Sequence, residues 1–426
     1  MERLTTLAAT GRLPLTASRR WIAPATFLVL GLVDILVFGR YAHHGDATFA
    51  FSQPFAKVTV PNLKVPAAET AYALGAATIA LAALRAAVDG GKVFRRVSIG
   101  LVLAFFVISL LCWAYAGSVN TFNVINQFQG TLADSIPLIL GALAGCLCER
   151  SGVINIAIEG QLLLGAFAGA IFASAFGVLW LGLIAGSLAG GLVGLLLGIF
   201  AITYLVDQII LGVVLNVLVS GVTGYLYDKL LVPYANTLNS PSTYLPIKIP
   251  LLGDIPIIGP VFFDSTLFLY ITYVLIAAVQ VGLFSTRWGL RVRAVGEHPA
   301  AADTVGISVR LTRYRNVILA GLVAGIGGAF LTIGSVGSFG KDMSSGKGYI
   351  ALAAMIFGRW TPLGGVGAAL LFGFTFELQS ILSTINVPVP SDFLLMVPYV
   401  ATIIAVAGLV GQVKAPAADG QPYITS

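Results

Sequence analysis

The chain has 426 residues, of which 58% are hydrophobic and only 10% charged, with a formal net charge of +6. A soluble domain carries about 25% charged residues. So few charges cannot screen this much apolar surface from water, which excludes soluble, disordered, collagen-like and nucleic-acid-binding classes. The three cysteines, Cys112, Cys146 and Cys148, lie in or beside apolar runs and form no disulfide framework or metal cluster. With three histidines, two of them the adjacent His43 and His44, no imidazole metal site is expected.

A bilayer core about 30 Å thick needs roughly 20 apolar residues of helix. In chain order such windows fall at 21–39, 72–88, 98–117, 131–147, 156–176, 178–203, 209–227, 266–284, 316–338, 349–360, 363–384 and 393–411. These twelve predict an all-α, polytopic helical membrane protein. The windows at 131–147, 156–176 and 349–360 are short or interrupted by Gly and Pro, and are expected to be broken or re-entrant helices. Residues 1–118 form an N-terminal zone of three plain spans with a Pro-containing loop at 45–66. Residues 119–412 form the core, whose part 119–284 holds the most polar residues at membrane depth and a Pro-rich stretch from Pro233 to Pro260. Residues 413–426 read as a tail. The segments 159–170 and 364–374 each open a Gly/Ala/Leu helix after a polar break, a pairing that points to a central pathway in transporters. The many glycines, such as Gly190, Gly191 and Gly194 in one span and Gly321, Gly325, Gly327 and Gly328 in another, are read as close helix packing.

With the N-terminus inside, seventeen of the 24 Lys and Arg residues fall on the inner side, including Arg150, Arg287, Arg291, Arg293, Arg310, Arg313 and Arg315. Both termini are therefore expected in the cytoplasm, and the positive charge is a topology signal. The first apolar run is too long for a signal peptide and lacks a small-residue cleavage site.

Ionisable side chains in a bilayer are costly and so are functional candidates. They are Asp34, Asp134, Glu159, Asp207 and Glu377. Asp134 and Asp207 lie near span ends, where a capping or interfacial role suffices. Glu159 follows a break at Ser151-Gly152. On a helix it shares a face with Asn155, four residues earlier. That face either lines a cavity or forms an interhelical hydrogen-bond network. Gln161, Asn216 and Gln208 are weaker candidates. In the loop at 285–315, Pro299 suits a first helical turn and Gly306 an end, predicting a short helix at 299–305 flanked by arginines. It is either a docking helix for a cytoplasmic partner or a basic loop held on anionic lipid. Gly340-Lys341-Asp342 and Gly346-Lys347-Gly348 lack the hydroxyl residue of a P-loop, so no nucleotide site or other cofactor is expected.

Residues 149–170, ERSGVINIAIEGQLLLGAFAGA, resemble the signature of permease subunits of binding-protein-dependent ABC importers, the ribose and branched-chain amino acid group, with the nucleoside permeases nearest in likeness. RAVGEHPAAADTVGI at 293–307 resembles their cytoplasmic loop, and ALAAMIFGRWTPLGGVGAALLFG at 351–373 their C-terminal signature. The resemblance covers about 120–412; residues 1–118 depart from it. It implies a non-enzymatic permease in the cell membrane, and the polar residues at depth then place its substrate pathway at Asn155 and Glu159, with Gln161 and Asn216 as weaker members. It further implies that Gly296, Glu297, Pro299, Ala301, Ala302, Asp303 and Gly306 contact the ATPase. The partners implied are a cytoplasmic ATP-binding subunit, an extracellular or periplasmic solute-binding protein docking over 228–264, and a second permease subunit in a heterodimer. The competing reading from the residues is a secondary transporter that uses Glu159, Asp207 or Glu377 as its ion-coupling carboxylate.

Overall fold

The computed structural model describes residues 17–42, 45–53, 59–88, 91–385, 396 and 414–424. Hydrocarbon offers backbone groups no water, so apolar runs satisfy their own N–H and C=O groups as helix. Among the described residues ten helices are long and apolar enough to cross a membrane. They correspond to ten of the twelve expected windows. The window at 349–360, expected to be broken or re-entrant, is a helix of 11 residues, about 16 Å at 1.5 Å per residue and too short to span by itself. The window at 393–411, apart from Met396, lies outside the described residues, as do His43 and His44. The window at 131–147 is an unbroken helix that starts earlier and absorbs Pro137.

Two compact units divide the chain, Met1–Ile125 and Asn126–Thr384, the latter with the tail. In the first, α1 (Ala17–Val33) runs into a π-helical turn at Asp34–Gly39, and α2 (Ala67–Ala87) and α3 (Lys92–Tyr115) pack with it around Phe27, Ala82 and Val102. Asp34 is fully buried there, with Gly75 against its Cβ. The loop expected at 45–66 carries two strands. β1 (Asp46–Ala50) pairs antiparallel with β2 (Leu63–Pro66) and parallel with β3 (Phe122–Asn123).

In the second unit, α4 (Val124–Glu149) is the most enclosed span. After a non-helical break come α5 (Ile158–Phe176), α6 (Leu179–Gly198) and α7 (Gln208–Leu226). Then follow α8 (Leu267–Ser285), α9 (Arg287–Glu297), α10 (Pro299–Thr304), α11 (Val309–Ala329), α12 (Lys347–Phe357) and α13 (Pro362–Thr384). Helices α5, α6 and α11 touch backbone to backbone. A methyl on Gly165 would lie 2.6 Å from the Gly325 carbonyl oxygen and one on Gly186 2.8 Å from that of Gly165, while one on Gly190 would strike the Gly321 carbonyl. With no hydrophobic drive between helices in lipid, such close approach supplies the contact area that holds them.

Candidate functional site

The break before α5 ends where α12 begins. Helix α12 starts at Lys347 with no side-chain cap of its own, so its first N–H groups need partners from elsewhere. Glu159, in the first turn of α5, supplies them. Its Oε1 accepts from the Gly346 N–H at 2.8 Å and the Ser344 hydroxyl at 2.6 Å, and its Oε2 from the Gly348 N–H at 2.6 Å. A methyl on Gly348 would collide with the Glu159 backbone, so the approach requires glycine. Helix α5 also lacks its own cap, and Asn216 of α7 caps it: Oδ1 accepts from the Gly160 N–H at 2.8 Å. The Asn216 amide donates to the Ile156 carbonyl at 2.9 Å and the Tyr349 hydroxyl at 3.0 Å. A carboxylate is thus held between two helix N-termini, where the peptide dipoles favour negative charge.

Beside this junction lies an open cavity of about 380 Å³, lined by Glu159, Gly160, Leu163, Asn216, Val217, Ser220, Gly221, Asp342, Ser344 and Tyr349. Its size is that of a small-ligand pocket. The wall offers carboxylate acceptors and hydroxyl groups and no basic side chain. Asp342 Oδ1 accepts from the Ser220 hydroxyl at 2.6 Å, and Lys341 is engaged by Asp228 at 2.7 Å. These contacts hold the 337–346 segment over α7.

Of the four pathway residues expected from sequence, Glu159 and Asn216 line the cavity. Asn155 and Gln161 do not. Both are fully buried, and their amides pair reciprocally at 3.2 and 3.3 Å. Asn155 precedes the first residue of α5, so it shares no helical face with Glu159. Gln208 accepts from the Ile154 N–H at 2.7 Å and fixes the break. Asp207 caps α7 through the Ile209 and Ile210 N–H groups, each at 3.0 Å. Glu377 lies over Gly130 and faces Asp134, away from the cavity lining. Sequence reasoning missed Ser220, Asp342, Ser344 and Tyr349. The glycines at 346 and 348 were the available signal, since they flank the start of a helix.

The loop expected at 285–315 is largely helical. Pro299 opens α10, the His298 Nδ1 accepts from the Ala301 N–H at 3.2 Å, and Gly306 follows the helix at φ +82°. Gly296 packs against the Arg150 carbonyl, and Glu297 sits 4.0 Å from the Arg150 guanidinium. Ala302 is buried with Val295 and Val309. Ala301, Thr304, Val305 and Gly306 face outward. The other end of the break is tied to the turn before α13: the Arg150 Nε donates to the Trp360 carbonyl at 2.8 Å, and the Trp360 indole donates to Glu149 at 2.5 Å.

A family model for the permease component of branched-chain amino acid transport systems matches residues 127–406. The guanosine ABC transporter permease protein NupQ of Bacillus subtilis is 42% identical over 303 residues, covering 69% of this chain and 95% of that protein. The nucleoside ABC transporter permease protein NupC of Lactococcus lactis is 38% identical over 319 residues, covering 71% and 99%. A putative glucose ABC transporter permease protein of Haloferax volcanii, TsgC13, is 32% identical over 251 residues, covering 59% and 76%. No solved structure matches the chain.

Proposed function

Because the chain belongs to the permease-component family of branched-chain amino acid transport systems, we propose that it forms part of the membrane pathway of an ATP-driven importer for nucleosides. It is a multi-pass membrane protein of transport and not an enzyme. Membership implies ATP-binding and solute-binding partner proteins. The observation that carries the solute class is the 42% identity to a guanosine permease over 95% of that protein's length. The cavity supports it, since hydroxyl and carboxylate groups suit the donors of an uncharged, hydroxylated solute. The ion-gradient alternative is not favoured by these relatives.

In this reading a solute-binding protein docks over 228–264 and delivers its ligand to the cavity beside Glu159 and Asn216. A second, different permease chain completes the pathway. The ATPase docks on α10, both termini lie on that side, and ATP binding drives the pathway to open inward. The test is uptake of labelled guanosine, adenosine, uridine and glucose by cells relying on this importer. Nucleoside uptake that survives proton and sodium uncouplers and stops when the ATPase is inactivated is expected. Uptake of glucose alone, or accumulation abolished by an uncoupler while ATP is held constant, overturns the proposal.

A further inference from the structure

The tail residues 414–424 do not trail from the molecule. They lie between the α9–α10 pair and the break before α5. On the α10 side, the Tyr423 hydroxyl donates to Asp303 Oδ2 at 2.8 Å, and its ring packs on the apolar cluster of Val295, Ala302 and Val309. The Ala418 N–H donates to the Gly296 carbonyl at 2.9 Å. On the other side, the Arg313 Nη1 donates to the Gln421 carbonyl at 2.9 Å. A methyl on Gly152 would lie 3.1 Å from the Ala418 carbonyl oxygen, and one on Gly420 2.6 Å from Ile154. Ala418 is 3% exposed, enclosed between these two contacts. From Ile154 the break leads within five residues to Glu159 and the cavity.

We propose that this strap is the brace through which displacement of α10 reaches the break and the cavity beyond it. The inference rests on the reading of α10 as the ATPase contact. Tyr423 anchors one end of the brace and Gly420 seats the other, at φ +75°, where a side chain is strained. Both are positioning residues, acting through Asp303 and Ile154 respectively.

Two variants of the full chain break opposite ends: Tyr423→Phe releases α10, and Gly420→Val unseats the strap from Ile154. Each is assembled with its permease partner, ATPase and binding protein in proteoliposomes, and solute taken up per ATP hydrolysed is measured. Each should lower that ratio several-fold with ATPase copurification unchanged. The double variant should be no worse than either single, because two breaks in one linkage act as one. A merely structural strap would lower melting while leaving uptake per ATP in the inserted protein unchanged. Wild-type uptake per ATP in either variant, or multiplicative losses in the double, overturns the proposal. Should Gly420→Val fail to insert, Tyr423→Phe alone decides, by solute taken up per ATP hydrolysed. The docking reading fails separately if Val305→Lys, at the exposed end of α10, leaves ATPase copurification and uptake normal.

Discussion

The carboxylate of Glu159 closes the N-terminus of a helix that begins 188 residues later, accepting from the Gly348 N–H at 2.6 Å. A charged group at this depth is tolerable because peptide dipoles and N–H groups surround it.

Glu159→Gln should therefore be costly even in a transporter that moves no ions. The amide keeps one acceptor and turns its NH₂ toward another donor. Hydrogen bonds to charged groups contribute about 1.5–3 kcal/mol each. Uptake should fall at least tenfold and melting in detergent should drop, while the residual uptake ignores uncouplers. Gly348→Ala should do the same by steric means. Normal melting and uptake in both variants would show that the contact does not matter.

Tyr349→Phe and Ser220→Ala change the cavity wall without touching Glu159. A lost hydrogen bond is worth about 0.5–1.5 kcal/mol. The half-saturating solute concentration should rise by roughly two- to tenfold for nucleosides. Kinetics identical to wild type for every nucleoside would place recognition elsewhere.

Asn155→Ala should act on stability and not on solute preference. It strands the Gln161 amide in a dry site, at about 1–3 kcal/mol. Thermal unfolding in detergent measures the loss. A changed order of preference among nucleosides, at unchanged stability, would return Asn155 to the pathway.

Burial pushes the Asp419 carboxyl from 3.8 up to about 7, with Glu149 and Arg313 the ionisable groups beside it. An acid whose pKa is higher when the strap is docked takes up a proton on docking. Docking is therefore favoured in acid and weakens as pH rises from about 4 through about 7. Hydrogen-exchange protection at 418–421 should be greater at pH 6 than at pH 8, and Asp419→Asn should flatten that difference. Equal protection at both pH values in the wild type contradicts the assignment.

The family match begins at residue 127, so the N-terminal zone is expected to be peripheral. A chain starting near residue 119, given a leader that sets its orientation, should retain part of its uptake. Complete loss from a well-inserted chain would assign that zone to the pathway.

Helix positions were legible because apolar runs of sufficient length have one stable form in lipid. The short α10 was legible too, since Pro299 and Gly306 mark its ends within a few residues. The pairing of β1 with β3 was not, because Phe49 and its partner Phe122 lie far apart in sequence. Glu159 stood out as an ionisable residue after a break, but its role did not. Its partners lie at 344–348, and no local pattern links the two. Gly346-Lys347-Gly348 fails as a nucleotide loop, yet its N–H groups hold an anion: the protein's own carboxylate. The pairing of Asn155 with Glu159 on one face assumed helix where the backbone is still turning.

The contact between α5, α6 and α11 has a consequence for how the sequence can drift. At Gly165, Gly186, Gly190, Gly321 and Gly325 the neighbour is a main-chain atom of the opposing helix, which no rotamer change can move aside. The gentlest replacement, a single methyl, meets the same obstacle as a large side chain. At these five positions chemical similarity is no guide to tolerance, and a scan of alanines should read there as severely as a scan of leucines.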